Sequence, residues 1–467
     1  MKRAGLIGPS YQERSLPFDA QRTVNLFPTI DETKEGREVA SLYGTPGKLL
    51  FGTAGTGSVR QMFYSTGGRA FVVTGTTLYE LDSSGTATSR GTLNAGSGVV
   101  TMGENGSQLM ICDGQYGYIF TYGTNAFAVI SDGDFPSAST MCFIDGYFAV
   151  SKNLSGAFYI SSLYDGTAWD ALDFATAESS PDNLVRIFPA VGLLWLFGDK
   201  SIEIWSNIGG TGFPFARVSG GKIETGCASP HSVVSLDNSV FWIGQDSRGT
   251  GVVYRASGFT PQRVSTHAIE YKLQQSNLSA VRGYTYQQDG HTFYVLTDSD
   301  TFTFVYDIAT QLWHERAYLS AGNLVADLGS TCMFAFGKVL VGDRSSANVY
   351  QLKLDNYSDN TQPILRSRTF THLSNNEEPF NIRSLVVGFE YGVGLQTGQG
   401  SDPQCWLEVS KDGGITWGRK LYANIGPVGI RNKRAMWNKL GNFDRMATFR
   451  VSISDPVKVA ITGAYFD

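Results

Sequence analysis

AFVVTGTTLYEL, residues 70–81, reads as an apolar strand, a Gly-centred turn and a second strand rich in large side chains. The phrase recurs as QLMICDGQYGYIFTY (108–122), YFAVSKNLSGAFYIS (147–161) and LLWLFGDKSIEIWS (193–206). It returns as SVFWIGQDSRGTGVVYRA (239–256), TFYVLTDSDTFTFVYD (292–307) and KVLVGDRSSANVYQLKLD (338–355). The first apolar positions, Phe71, Leu109, Phe148, Leu194, Phe241, Phe293 and Val339, lie 38 to 52 residues apart. A strand–turn–strand unit at that period is the mark of propeller blades. Flanking stretches such as VRQMFYS and ATSRGTL, on either side of the first phrase, supply the outer strands of a four-stranded unit. Inner blade strands are covered on both faces, so runs such as LLWLF are continuous rather than alternating.

Seven phrases predict seven blades. Six remain open, because a terminal hairpin can belong to a neighbouring domain. The expected propeller runs over 57–358. One segment departs from the strand pattern: STHAIEYKLQQ (265–275) opens on Ser/Thr and has helical spacing, which predicts a short helix. Before the repeats, residues 1–56 hold a charged turn, DETKEGRE (31–38), then LYGTPGKLLFG; this segment is expected to pack on the C-terminal domain. Beyond 358 come RSRTFTHL, NIRSLVVGFEY, CWLEVS, TWGRKLYA, RAMWNKLG, MATFRVSI and KVAITGAYF. Their alternation predicts a β-sandwich over 359–467.

Composition agrees with an all-β chain. Glycine makes up 54 of 467 residues, above the ~7% of ordinary chains, and charged residues are 17% against ~25%. Short strands with tight turns account for both. A net charge of −5 argues against a general nucleic-acid binder. The charge is uneven: residues 411–450 hold nine Lys/Arg and two Asp, a local +7 that leaves −12 elsewhere. Within that stretch Arg431, Lys433, Arg434 and Lys439 form a candidate interface. The cations have three readings: solvated guards on edge strands, a docking surface for an acidic neighbour, or a collar facing DNA.

SKDGGITW (410–417) fits the Asp-box pattern found on sialidase blades. Ser410, Asp412, Gly414, Thr416 and Trp417 are read as a structural turn: Asp412 caps backbone N–H groups, and Thr416 and Trp417 start the next strand. None of these roles is catalytic. The box occurs once, outside the repeats, whereas sialidases carry it on several blades. The five histidines lack metal-ligand spacing, and the five scattered cysteines read as reduced, mostly buried side chains. In WHE (313–315), Trp313 is expected to be buried and His314 or Glu315 solvated. No catalytic residue, cofactor or metal is assigned. The start of the chain shows no signal peptide and the longest apolar run, 190–198, is too short to span a bilayer; the expectation is a soluble protein made in a cytoplasm.

Several stretches together resemble a known family. QRTVNLFPT (21–29) with LYGTPGKLLF (42–51), GHTFYVLTD with FVYDIATQLWHER, and the last 70 residues from DGGITWGRKLYANIG onward are similar to the packaged-DNA stabilisation, or tail hub (nozzle), proteins of short-tailed bacteriophages. The resemblance implies a structural virion protein without enzymatic activity, forming a homohexameric ring in the tail. The implied partners are the portal and its adaptor, the tail needle or plug and the tailspikes. Double-stranded DNA would pass through the lumen without sequence-specific contacts, held in until ejection, and no small-molecule substrate is implied. Assembly would take place in the host cytoplasm. The competing readings are a glycan-binding or glycan-cleaving, sialidase-like propeller and a generic propeller scaffold.

Overall fold

The computed structural model describes residues 2–467 except positions 34, 36–38, 178, 179, 181 and 211. Positions 34 and 36–38 of the charged turn at 31–38 therefore lie outside the described residues.

The stretch at 70–81 forms the middle of an antiparallel sheet made of Val59–Tyr64, Ala70–Thr74, Thr77–Leu81 and Ala87–Thr92. Thr74 pairs with Thr77 across a two-residue turn whose Gly75 has φ +54°, the geometry a tight hairpin requires. Every residue of Ala70–Thr74 is buried. Alternate side chains explain this: Phe71 and Val73 pack with Leu109, Ile111 and Phe120 of the next sheet, while Ala70 and Val72 pack with Met333, Leu340 and Val349 of the last. Full burial of a side chain such as Phe71 is worth about 1.5–3 kcal/mol.

The unit repeats over 101–129, 138–176, 184–223, 226–263 and 282–315, giving six sheets in chain order. A seventh consists of Gly329–Ala335, Lys338–Asp343, Asn348–Lys353 and Gly47–Thr53. Each neighbouring pair of blades shares its own apolar cluster, seven in all around the ring, and the seventh joins blade seven to blade one. The helix foreseen at 265–275 is observed as His267–Gln274, capped by Thr266 and packed through Ile269 and Leu273 between blades five and six.

Blade seven corrects the sequence reading of the N-terminal segment. Gly47–Thr53 lies within 1–56, yet it is the outer strand of this blade, pairing Leu49 with Gln351 and Leu50 with Tyr350. The ring is thus closed by a strand from before the first repeat. Ser358–Asp359 and Gln362–Pro363 extend the same sheet, so the propeller's pairing continues beyond 358. A closing strand has no repeat of its own, and its partner is about 300 residues distant; periodicity cannot reveal it.

The rest of the N-terminal segment pairs with the C-terminal sandwich. One sheet orders Leu26–Ile30, Ala40–Gly44, Ala460–Phe466, Phe380–Phe389 and Ala435–Phe443, with Lys2–Ala4 also on Ala460–Phe466. The other orders Ala20–Val24, Arg366–Thr369, Met446–Ile453, Gln404–Ser410 and Leu421–Asn424. Leu385, Val387, Trp437 and Ile461 of the first meet Leu407, Phe449 and Val451 of the second in one core. Ala20–Val24 also pairs with Leu312–Glu315, the outer strand of blade six, at Val24 and Glu315. Asn25, at φ +53°, completes the junction: its amide donates to the carbonyls of Ala317 and Leu365, both at 2.9 Å, and accepts from Ala317 N–H.

That pairing also corrects the expectation for 313–315. Trp313 is buried, but so is His314, and Glu315 accepts from Arg22 Nη2 at 2.5 Å and from Ser10 Oγ at 2.6 Å. The outer strand of blade six is not an open edge, because the N-terminal strand covers it.

Candidate interaction surfaces

Two features singled out by the sequence lie in the sandwich. The first is the Asp-box turn. Gln404–Ser410 pairs with Leu421–Asn424, so 411–420 form a loop rather than a tight hairpin, and Thr416 and Trp417 precede the strand instead of starting it. Within the loop the expected capping is present. Asp412 accepts from Thr416 N–H at 2.9 Å and from the Thr416 hydroxyl, while Ser410 Oγ donates to Asp412 at 2.7 Å and accepts from Gly414 N–H at 2.8 Å. Hydrogen bonds from Ser410 and Thr416 pull the Asp412 carboxyl down to about 2. Gly414, at φ +93°, packs against Ala20 and Trp417, and Arg450 lies over the Trp417 ring at 4.1 Å. The carboxylate is thus engaged within its own loop.

The second feature is the basic stretch, which the fold divides. Arg450 forks onto Glu408, Lys411 donates to the Asn442 carbonyl and lies over Phe443, and Lys420 lies 4.5 Å over Trp406. Arg445 pairs loosely with Glu377. Lys439 sits exposed on Ala435–Phe443, an outer strand of its sheet, at a register shift where its φ is +58°. This placement suits a guard against edge pairing. Arg431, Lys433 and Arg434 are different. They belong to the loop leading into that strand, are exposed, and make no ion pair among the described residues.

These three cations rim a groove of about 750 Å³ whose floor is Val386, Gly388, Phe389, Thr462 and Tyr465, with Tyr391 at its side. The floor is the outer face of the first sheet, where Met436, Val386 and Tyr465 stand in one cross-strand row. Tyr391 is 54% exposed and Met436 44%. The structure therefore gathers three of the four predicted interface residues around an aromatic groove and leaves Lys439 apart. The aromatic floor escaped the sequence reading. Its members come from two strands, Phe380–Phe389 and Ala460–Phe466, about 75 residues apart, and only their pairing places them together.

Among the described residues no three His, Cys, Asp or Glu side chains are grouped to hold a metal ion. The five cysteines are free, four of them buried. His291 bonds Asp307 at 2.8 Å and Thr29, where blade six meets the strand Leu26–Ile30 of the sandwich.

The architecture is a closed β-propeller stapled to a β-sandwich by the chain's own N-terminal segment, with a cation-rimmed groove on the sandwich. The chain belongs to the bacteriophage P22 Gp10 family: its β-propeller description matches residues 6–357 and its β-sandwich description residues 366–467. The chain is 24% identical over 337 residues to the tail hub protein gp10 of Salmonella phage P22, covering 68% of this chain and 67% of the relative. Solved structures with similar folds include the extracellular domain of a protein described as a one component system of B. thetaiotaomicron, at 10% identity and TM-score 0.45. That match covers 88% of this chain and 62% of the other. The N-terminal domain of Nup159 matches at 8% identity and TM-score 0.41, over 71% of this chain and 98% of that one.

Proposed function

We propose that this structural phage tail protein forms a homohexameric ring below the portal and its adaptor, retains packaged DNA and lines part of the path of ejection. The observation that carries the reading is kinship in both halves, propeller and sandwich in the same order, with a family whose curated relative is a tail hub protein. Residues 57–358, closed by the strand at 47–53, would form the ring's body, and 359–467 with the N-terminal segment a second docking unit. The proposed partners are the tail needle or plug and the tailspikes, and the place of assembly the host cytoplasm. An acidic protein as a whole, at net −5, suits a wall past which DNA slides, since Lys/Arg–phosphate contacts would hold it.

The groove at Arg431, Lys433 and Arg434 is the proposed contact with an acidic neighbour, because Arg and Tyr are enriched in interfaces and a rim of unpaired cations is complementary to negative charge. A glycan-cleaving alternative gains nothing from the site, as Asp412 is occupied in its loop.

The test uses Lys433→Glu with Arg434→Glu. Melting should be unchanged, while incorporation into tails falls and particles that fill with DNA leak it. Normal incorporation and retention with unchanged melting would reject the docking role. Negative-stain images of wild-type protein mixed with tail parts should show rings; persistent monomers would reject the ring itself.

A further inference from the structure

The innermost strands of the blades surround the propeller axis, and they bring three arginines and a histidine to one end of it. Arg60 is on the inner strand of blade one, Arg186 on that of blade four and Arg282 at the start of that of blade six. His231 stands between them in the 3-10 turn Pro230–Ser232 of blade five. Register shifts fall at this same end of the inner strands of blades one, three, four and seven, between Val59 and Gln61, Ala138 and Thr140, Leu184 and Arg186, and Gly329 and Thr331. Such bulges re-aim side chains out of the regular ladder.

The four groups differ in how well they are satisfied. Arg60 is saturated, donating to the carbonyls of Gly75, Ala95, Ser97 and Gly98. Arg282 makes one long bond, Nη1 to the Val59 carbonyl at 3.3 Å. Arg186 has Nε and Nη1 buried with no hydrogen-bond partner, and its guanidinium neighbour is the Phe188 ring at 5.7 Å. Burial pushes the Arg186 guanidinium down to about 10 and, with Arg186 and Arg282 adding repulsion, the His231 imidazole to about 3. Both residues keep part of their area open, as groups lining a narrow shaft do. Arg186 lies near the Cys142 and Cys227 thiols, and His231 and Arg282 lie near other arginines; among the described residues none of the three is in a salt bridge with a carboxylate. Unpaired cations in such a place are costly unless an anion joins them.

His231 and Arg282 border a recess of about 300 Å³, shared with Thr297, Asp298, Ser299 and Ser330. Asp298 also borders the recess, but its carboxylate accepts from Ser299 N–H and the Thr301 hydroxyl of its own turn and, among the described residues, forms no salt bridge with Arg282 or His231. The recess lies on the face carrying the blade-to-blade connections, since residues 98–99 and 279–280 come from such connections and 297–299 from the hairpin turn of blade six beside them. Its volume matches a small ion and is far too small for a nucleic-acid duplex.

We propose that this end of the shaft is an oxyanion site, in which Arg282 and His231, backed by Arg186, take a phosphate-sized anion or the carboxylate of a docked acidic side chain. The site is independent of the ring and groove proposed above, since it rests on the propeller axis alone.

Calorimetric and thermal-shift titration of the full chain, at constant ionic strength against chloride, tests it with two probes. Inorganic phosphate stands for the free ion and N-acetylaspartate amide for a protein carboxylate. Saturable binding is expected for at least one probe, weakened ten-fold or more in Arg282→Gln and in His231→Gln and unchanged in Lys433→Glu. Preference for phosphate would assign a free ion; preference for the carboxylate would assign a side chain. If neither probe binds wild-type protein saturably, the proposal is overturned, and this holds even if a variant fails to fold. Binding that persists unweakened in a folded Arg282→Gln or His231→Gln variant overturns it equally.

Discussion

The ammonium of Lys48 lies 2.5 Å from Asp327 Oδ1, with Asp359 Oδ1 at 3.2 Å and all three side chains buried. Lys48 belongs to the strand that closes blade seven, Asp327 precedes that blade, and Asp359 lies on the strand added outside it. Burial works against the charge on Lys48, but Asp327 and Asp359 outweigh it and hold its pKa above the usual value. Removing the cation alone would strand two buried carboxylates. Lys48→Met should therefore cost about 3–5 kcal/mol in urea unfolding. Adding Asp327→Leu and Asp359→Leu to it should restore much of that loss, because the buried charges go together.

Ring closure depends on a close backbone approach. A Cβ on Gly52 would stand 2.2 Å from the Gly85 carbonyl oxygen, and one on Gly85, at φ +88°, would stand 1.9 Å from that of Phe51. Neither obstacle is a movable side chain. Gly52→Ala and Gly85→Ala should each lose more than about 2 kcal/mol by denaturant unfolding. Gly106→Ala, at φ +89° but in open space, should lose only the backbone-strain share, about 1 kcal/mol.

His314 gives the protein an acid sensitivity. Both ring nitrogens are buried without partners, between Phe27 and Phe293. Burial, with Arg316 and His291 nearby, holds its pKa well below the ordinary value. The folded-state pKa is depressed, so its contribution is present above the unfolded value of about 6.5 and is lost as pH falls below it. The slope from this residue is about 1.4 kcal/mol per pH unit. Urea midpoints at pH 7.5 and 5.5 should differ less in His314→Leu than in wild type.

The Asp-box turn titrates in the same direction at lower pH. Asp412→Ala should cost about 1–2 kcal/mol at neutral pH through lost turn hydrogen bonds. Because the carboxyl is depressed to about 2, the difference between variant and wild type should persist above about pH 4 and shrink as pH falls toward 2. Paired unfolding curves across that range measure it. A difference independent of pH would mean that the side chain's packing, and not its charge, holds the loop.

The sequence by itself determined the class of fold and the units that build it. Apolar runs such as Ala70–Thr74, each followed by a turn, report burial on both faces, and their period marks propeller blades, six or seven of them. The Ser/Thr start of the helix and the capping of backbone N–H by Asp412 were equally legible, because each joins residues within a few positions of one another. Only the tertiary structure decided what joins distant parts of the chain. It assigned Gly47–Thr53 to blade seven, laid Ala20–Val24 over blade six, and buried His314 and Lys48. It gathered Arg431, Lys433 and Arg434 over Tyr391 and Tyr465, left Lys439 on an edge, and set Arg186, His231 and Arg282 around one shaft. The physical reason is that periodicity and turn chemistry act locally along the chain. Strand partners hundreds of residues apart, and the fields of charges that meet only across blades, leave no pattern in any single stretch.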